Sequence, residues 1–134
     1  MRTLIALLIL ASSSFPAHAE KECWMLTNVK GRIAPSNSGY QFLDDGFSTP
    51  MLLCFDPEKR TGSVSGDDTQ FTMLGTSTLS GWVSNRGIEL LETFQIDRSN
   101  GKVLFTKSRI GTATVLTSMP DVVAAYVGIA TRAE

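Results

Sequence analysis

Histidine is almost missing from this 134-residue chain, since His18 is the only one. His18 falls within residues 1–19, which are predicted below to be a removable leader. A mature chain without histidine lacks the base of Ser–His and Cys–His dyads and a common metal ligand. We therefore expect a protein without catalytic residues, without a cofactor and without a metal site.

A long apolar run is also missing. Arg2 supplies a positive start, residues 4–11 are continuously apolar, and Ala17-His18-Ala19 is a small-residue cleavage site. A run this short cannot span a bilayer, which takes about 20 helical residues, although an uncleaved N-terminal anchor is the alternative. We expect a signal peptide over 1–19, cleavage between Ala19 and Glu20, and one domain over 20–134 that is periplasmic or secreted.

Neither sign of charge dominates. Once Arg2 is removed with the leader, 11 basic residues stand against 13 acidic ones. This balance gives no reason to expect nucleic acid as a partner, and no later stretch approaches membrane-spanning length. The expected partner is an unknown protein or small ligand of the cell envelope.

Cysteine is limited to Cys23 and Cys54. Export places both thiols in an oxidising compartment, where an even number of cysteines indicates disulfide pairing. A redox-active pair is the alternative, but it normally has C-x-x-C spacing at a helix start. We expect a structural Cys23–Cys54 disulfide.

What the chain does contain is short apolar and β-branched segments separated by glycine-rich turns. This pattern is typical of antiparallel strands. The fold class predicted is all-β, a small antiparallel barrel or two-sheet sandwich of about eight strands with meander connections. The expected strands cover 24–33, 40–43, 51–55, 61–65, 70–74, 76–83, 88–96, 102–110 and 112–117.

The last apolar segment, residues 122–129, is ambiguous. Both of its faces are apolar or small, and Pro120 suits the first turn of a helix. Gly128 and the β-branched content favour a closing strand over that helix.

Glu92 is the unusual charge. It shares the period-two face of Leu90, Phe94 and Ile96, so a regular strand would bury its carboxyl group, which would then need a partner. Lys107 and Arg109 on the next strand are the candidates. We expect instead a bulge at Leu90-Leu91 that turns Glu92 outward, because unpaired buried acids are rare.

Other candidate groups have simpler interpretations. Asp44-Asp45 and Asp67-Asp68 lack the alternating spacing of a calcium loop and are expected to be turn residues. Four aromatic residues are expected to pack in the core rather than to form a recognition surface: Trp24, Tyr40, Phe47 and Trp82.

Three functions remain open. The leading hypothesis is a non-catalytic binding or inhibitor-type protein of the envelope that acts through loops 35–39, 44–50, 57–60 and 84–87 at one end of the scaffold. The second is a carboxylate-dependent hydrolase or isomerase with Glu92 as the acid, which requires a second acid nearby. The third is a structural subunit of an envelope assembly, which an exposed apolar patch or an unpaired edge strand would favour.

Overall fold

The computed structural model describes residues 19–111 and 119–134. The predicted leader and the strand expected over 112–117 lie outside these residues, apart from Ala19. Nine strands are present in the described part, together with a single 3₁₀ turn, and they run β1 Glu22–Pro35, β2 Leu43–Phe47, β3 Met51–Asp56, β4 Thr61–Val64, β5 Asp67–Met73, β6 Thr78–Asn85, β7 Ile88–Asp97, β8 Lys102–Gly111 and β9 Val122–Arg132.

The strands form a closed antiparallel barrel. Neighbours along the chain pair from β3 through to β9, and β1 pairs with both β3 and β9, which closes eight strands into a ring. β2 is the ninth strand and lies on β1 beside the β3 pairing. The all-β expectation is confirmed, and closure decides for the barrel over the sandwich.

The ambiguous C-terminal segment is a strand, because both of its edges find partners. β9 pairs with β8 on one side and with β1 on the other. Its inward side chains, among them Ala124, Tyr126 and Ala130, are buried, and the intervening ones are exposed. Strict alternation of this kind is what a barrel wall requires.

The barrel core is a row of aromatic rings that crosses neighbouring strands. Phe94 stacks on Phe105 with ring centroids 4.2 Å apart, and Phe105 stacks on Tyr126 at 5.2 Å. Phe71 meets Phe94 edge-on at 5.7 Å, and Phe47 on β2 covers Tyr126 at 5.1 Å. The interior is therefore filled by side chains, as expected for a barrel of eight short strands.

The Cys23–Cys54 disulfide is confirmed. The two residues are directly opposite in the β1–β3 ladder, with Cα atoms 4.0 Å apart. Arg98 holds the same end of the barrel: its guanidinium donates to both carboxylate oxygens of Glu22 at 3.0 Å. The N-terminal strand is thus fixed covalently and by an ion pair.

The strand boundaries differ from the sequence prediction at Tyr40 and at Asp67-Asp68. Tyr40 is not in a strand: its φ is +60°, and its N–H donates to the Pro35 carbonyl at the end of the 3₁₀ turn. β2 therefore begins only at Leu43. Asp67 and Asp68 are not turn residues, because the turn closes at Ser65-Gly66 and β5 begins at Asp67.

The wall of the barrel is uneven in height. β1, β6, β7, β8 and β9 have eight to fourteen residues, whereas β3, β4 and β5 have four to seven. β5 pairs with β6 only from Leu79 to Gly81, so Val83 to Asn85 have a partner strand on the β7 side alone within the described residues. We call this unpaired side of residues 83–85 the free edge of β6.

Candidate functional site

Glu92 points into the barrel. β7 pairs without interruption with β6 over residues 88–95 and with β8 along its whole length, so the expected bulge at Leu90-Leu91 is wrong. The irregularity lies instead in β1, between Thr27 and Lys30, where Asn28 has a φ of +50°. With regular alternation in β7, the Glu92 side chain is only 3% exposed.

Lys107 is the partner of Glu92. The two residues are opposite each other across β7 and β8, and the Nζ of Lys107 lies 2.8 Å from Oε1 of Glu92. Arg109, the other candidate, does not reach the carboxylate; it donates instead to the Pro120 carbonyl at 2.8 Å. One of the two proposed partners is therefore confirmed.

A second acid faces Glu92 from β5. Gly81 is the β6 residue opposite Glu92, and a Cβ there would come within 2.7 Å of side-chain atoms of Thr69 and Phe71. The missing side chain thus gives β5 side chains room over β6. Asp67 uses this room, since its carboxyl group interacts with that of Glu92.

The two acids have opposite pKa shifts. Burial raises the pKa of Glu92, and its contact with Asp67 adds to this, whereas Lys107 acts to lower it. Partial burial acts to raise the pKa of Asp67 as well, but hydrogen bonds from Thr69 and from Glu92 outweigh it and lower that pKa. The raised pKa favours the protonated form of Glu92, and the lowered pKa favours the ionised form of Asp67.

The unbonded oxygen of Glu92 agrees with this arrangement. Its Oε2 is buried and accepts no hydrogen bond within the described residues. A carboxylate at that position would leave a buried acceptor unsatisfied, which is costly. A protonated carboxyl group carries a donor of its own, and Asp67 is the acid with which Glu92 interacts. The cluster therefore places the buried Glu92 carboxyl group between Asp67 and the Lys107 ammonium group.

The outer face of the longer strands β6 to β9 presents a different feature. Trp82 on β6, Leu91 on β7 and Val123 on β9 lie in one cross-strand row, with Ser108 of β8 between the last two. Their exposed fractions are 71%, 49% and 46%, and Ile110 nearby is 58% exposed. We call these four apolar residues the outer stripe.

Shallow grooves extend along the outer stripe. One of about 440 Å³ is lined by Trp82, Leu91 and Ile110 among others. A second of about 360 Å³ shares Leu91 and adds Val123 and Phe42. Phe42 leads on to a third groove of about 520 Å³. The three grooves thus adjoin one another from β6 to the β1–β2 connection, through the shared residues Leu91 and Phe42.

The aromatic residues divide between core and surface. Trp24 is 7% exposed and confirms its expected place in the core, whereas Tyr40 is 56% exposed and Phe47 36%. Trp82 contradicts the expectation most clearly. Its own strand carried the signal: Leu79, Gly81 and Val83 share one face, and Trp82 shares the other with Ser80 and Ser84.

The loops named from the sequence do not gather at one end. Residues 35–39 and 84–87 lie at the end where Pro35 pairs with Val122. Residues 57–60 follow β3 at the opposite end, beside Glu22. Residues 44–47 belong to β2. A single loop-built binding end is therefore not formed by this set.

The described residues contain no group of three or more His, Cys, Asp or Glu side chains that could hold a metal ion. Across residues 19–111 and 119–134, no helix is long and apolar enough to span a membrane.

Comparisons with protein-family models, with curated proteins and with solved structures give no significant match. Function is therefore inferred from the contacts and exposed surfaces of this chain alone.

Proposed function

We propose that this chain is an exported, non-catalytic protein that acts by binding another protein through the outer stripe, as a component of an envelope assembly. The observation that carries the proposal is the row of Trp82, Leu91 and Val123 on one face of the barrel. Exposed apolar side chains that join into one surface mark interaction sites, whereas isolated ones are ordinary.

Trp82 is the residue expected to contribute most. Tryptophan at an interface buries a large rigid surface and is enriched among residues that dominate binding energy. Here it is the most exposed of the large apolar side chains in the described residues. The neighbouring groove, lined by Leu91 and Ile110, gives a partner side chain a place to pack beside it.

The disulfide supports the envelope assignment. A disulfide between strands persists in oxidising compartments and is rare in the cytosol, and the Cys23–Cys54 bond is compatible with a periplasmic or extracellular location. The predicted leader over 1–19 gives the route.

A second candidate, a carboxylate-dependent hydrolase or isomerase, has one observation in its favour. Glu92 has a raised pKa and a second acid, Asp67, beside it, as an acid catalyst would need. Its side chain is nevertheless 3% exposed and is joined to Lys107. Substrate atoms have no room at a group this enclosed, so binding through the outer stripe is the better-supported function.

A photo-crosslinking residue at position 91 tests the proposal in cells that make the protein. The matched control places the same residue at position 72, where Thr72 is exposed on β5. We expect a discrete protein adduct from position 91 that is absent from position 72 and is lost when Trp82→Ser is added. Equal labelling from both positions, or none from position 91, would contradict the proposal.

A further inference from the structure

The third groove differs from the other two in the charge of its lining. Lys30 and Arg32, both exposed on β1, are the charged residues among the described ones that line it, and no acid does. Its floor is apolar and includes Leu104 and Val127, which are 45% and 51% exposed. An apolar groove bordered by two cations is complementary to a ligand with an apolar body and one anionic end.

The two cations are engaged to different degrees. Arg32 donates to the Phe42 carbonyl at 3.0 Å, and its Nε lies 3.6 Å from Oδ1 of Asp44. The Asp44 side chain is 97% exposed, so this ion pair is weak. No salt bridge joins Lys30 to another described residue. Lys30 is therefore the cation most open to an anionic ligand, and Arg32 holds Phe42 beside it.

The adjoining grooves have the length of a lipid chain. Three strand spacings across the sheet and four residues along it separate Lys30 from Leu91, which makes about 19 Å in a straight line. One acyl chain of a membrane lipid is about 15 Å long, because two of them fill a hydrocarbon core of about 30 Å. The flexible lysine side chain and the anionic group of the ligand span the difference.

We propose that these adjoining grooves bind one free long-chain fatty acid, with its carboxylate at Lys30 and its chain directed toward Leu91 and Trp82. The inference goes beyond the proposed function, because it names a small-molecule ligand for a surface that overlaps the outer stripe. The grooves lie end to end, so they accept a single chain.

The charges at the two ends favour one orientation. Glu89 lines the first groove, at the end away from β1, and repels a carboxylate there. Arg109 also lines that groove, but it donates to the Pro120 carbonyl at 2.8 Å. The anionic end of the ligand is therefore expected at Lys30.

A bilayer surface suits this site less well than one chain. Attachment to a membrane uses a broad apolar face together with several cations that act on anionic headgroups. Here the apolar atoms line narrow grooves, Phe42 borders two of them, and the third groove carries two cations. We therefore make membrane binding an outcome of the test.

Trp82 supplies the readout, because bromine quenches tryptophan fluorescence on contact and Trp24, the other tryptophan, is buried. Two brominated myristates are compared, one labelled on its last carbon and one beside its carboxylate. Both are used as monomers at low ionic strength and neutral pH, with protein expressed from the full sequence. The competitors are unlabelled myristate, laurate and tetradecyltrimethylammonium.

We expect saturable quenching by the tail-labelled acid and much weaker quenching by the head-labelled one. Laurate should displace it only at about fourfold higher concentration than myristate, since each methylene is buried on one side only. The trimethylammonium compound should not displace it at these concentrations.

Lys30→Glu should weaken binding of myristate about tenfold or more. Lys21→Glu is the matched control, because it makes the same charge change at an exposed position ahead of β1 and outside the grooves. Leu104→Ser, in the groove floor, should also weaken binding and covers the case in which Lys30→Glu does not fold.

Equal quenching by both brominated acids overturns the proposal, as does unchanged affinity in Lys30→Glu and Leu104→Ser. So does association with anionic vesicles without binding of monomeric myristate, which would assign the surface to a membrane. These failures leave the proposed function intact if position 91 still crosslinks to a protein. Conversely, myristate binding without that adduct would keep the ligand and remove the protein partner.

Discussion

Lys107 and Glu92 face each other inside the barrel, with Nζ and Oε1 2.8 Å apart. Glu92 is opposite Gly81, the last β6 residue that pairs with β5. The side chain of Lys107 is partly exposed, whereas that of Glu92 is buried. Breaking a buried pair by removing one member is costly, since the other charge remains. The pH dependence of folding should therefore depend on which member is replaced.

Glu92→Gln should flatten the loss of stability with rising pH. Burial raises the pKa of Glu92 above its usual value near 4.5, so the folded state holds a proton that the unfolded state releases. Its contribution is therefore full below 4.5 and declines as pH rises toward the folded pKa. Glutamine cannot ionise, so its free energy of unfolding should fall less across this range in urea titrations.

Lys107→Met is the converse change. Without the ammonium group, ionised Glu92 loses its compensation, so its pKa should rise further and the decline should extend to higher pH. A loss of about 3 kcal/mol near neutral pH is expected from an uncompensated buried charge. If both variants have pH profiles parallel to the parent's, the buried acid does not control stability.

Replacing both cysteines, as Cys23→Ala with Cys54→Ala, should lower the free energy of unfolding by about 3–4 kcal/mol. The bond closes a loop with a sequence separation of 31 residues, and opening it returns entropy to the unfolded chain. Urea unfolding of the double variant is compared with the parent under reducing conditions, where the two should converge. Under non-reducing conditions, a midpoint of the double variant equal to that of the parent would show that the bond adds nothing to folding.

Arg98→Ala should destabilise the N-terminal end of the barrel by about 1–2 kcal/mol. Its hydrogen bonds lower the pKa of Glu22, so this contribution is present above pH 4.5 and is lost as pH falls through the folded pKa. Arg98→Lys restores charge without the two-pronged geometry and should recover only part. Recovery of the full free energy by lysine would mean that charge alone matters.

Gly81→Ala should cost about 1–3 kcal/mol through overpacking. Its Cβ would lie 2.6 Å from the Cγ2 atom of Thr69 and 2.7 Å from the Phe71 ring. Displacing β5 would also draw Asp67 away from Glu92, so the pH profile should change together with the stability. Ser80→Ala, on the outward side of the same strand, is the control and should have little effect in the same titrations.

Alternation of side chains along the chain predicted most of the wall. It predicted most of the strands and the hairpin across residues 84–87, and the oxidising compartment expected for both cysteines predicted the disulfide. It failed where a residue's surroundings come from distant strands. Whether Glu92 is buried depends on Lys107 and on Asp67, and Asp67 reaches it because Gly81 has no side chain.

Trp82 shows the opposite failure. Its period-two neighbours Ser80 and Ser84 placed it on the solvent face, but the general tendency of tryptophan to be buried led to the core assignment. The free edge beside it depends on where β5 stops pairing. Local sequence does not encode that point, since β5 continues as a strand past it.

The most direct test of the central claim compares two variants in one crosslinking experiment at position 91. Trp82→Ser removes the most exposed side chain of the outer stripe. Glu92→Gln removes the ionisable acid inside the barrel but leaves the outer stripe in place. If the protein acts by binding through the outer stripe, the adduct disappears with Trp82→Ser and persists with Glu92→Gln. Loss of the adduct with Glu92→Gln, and its persistence with Trp82→Ser, would contradict the account.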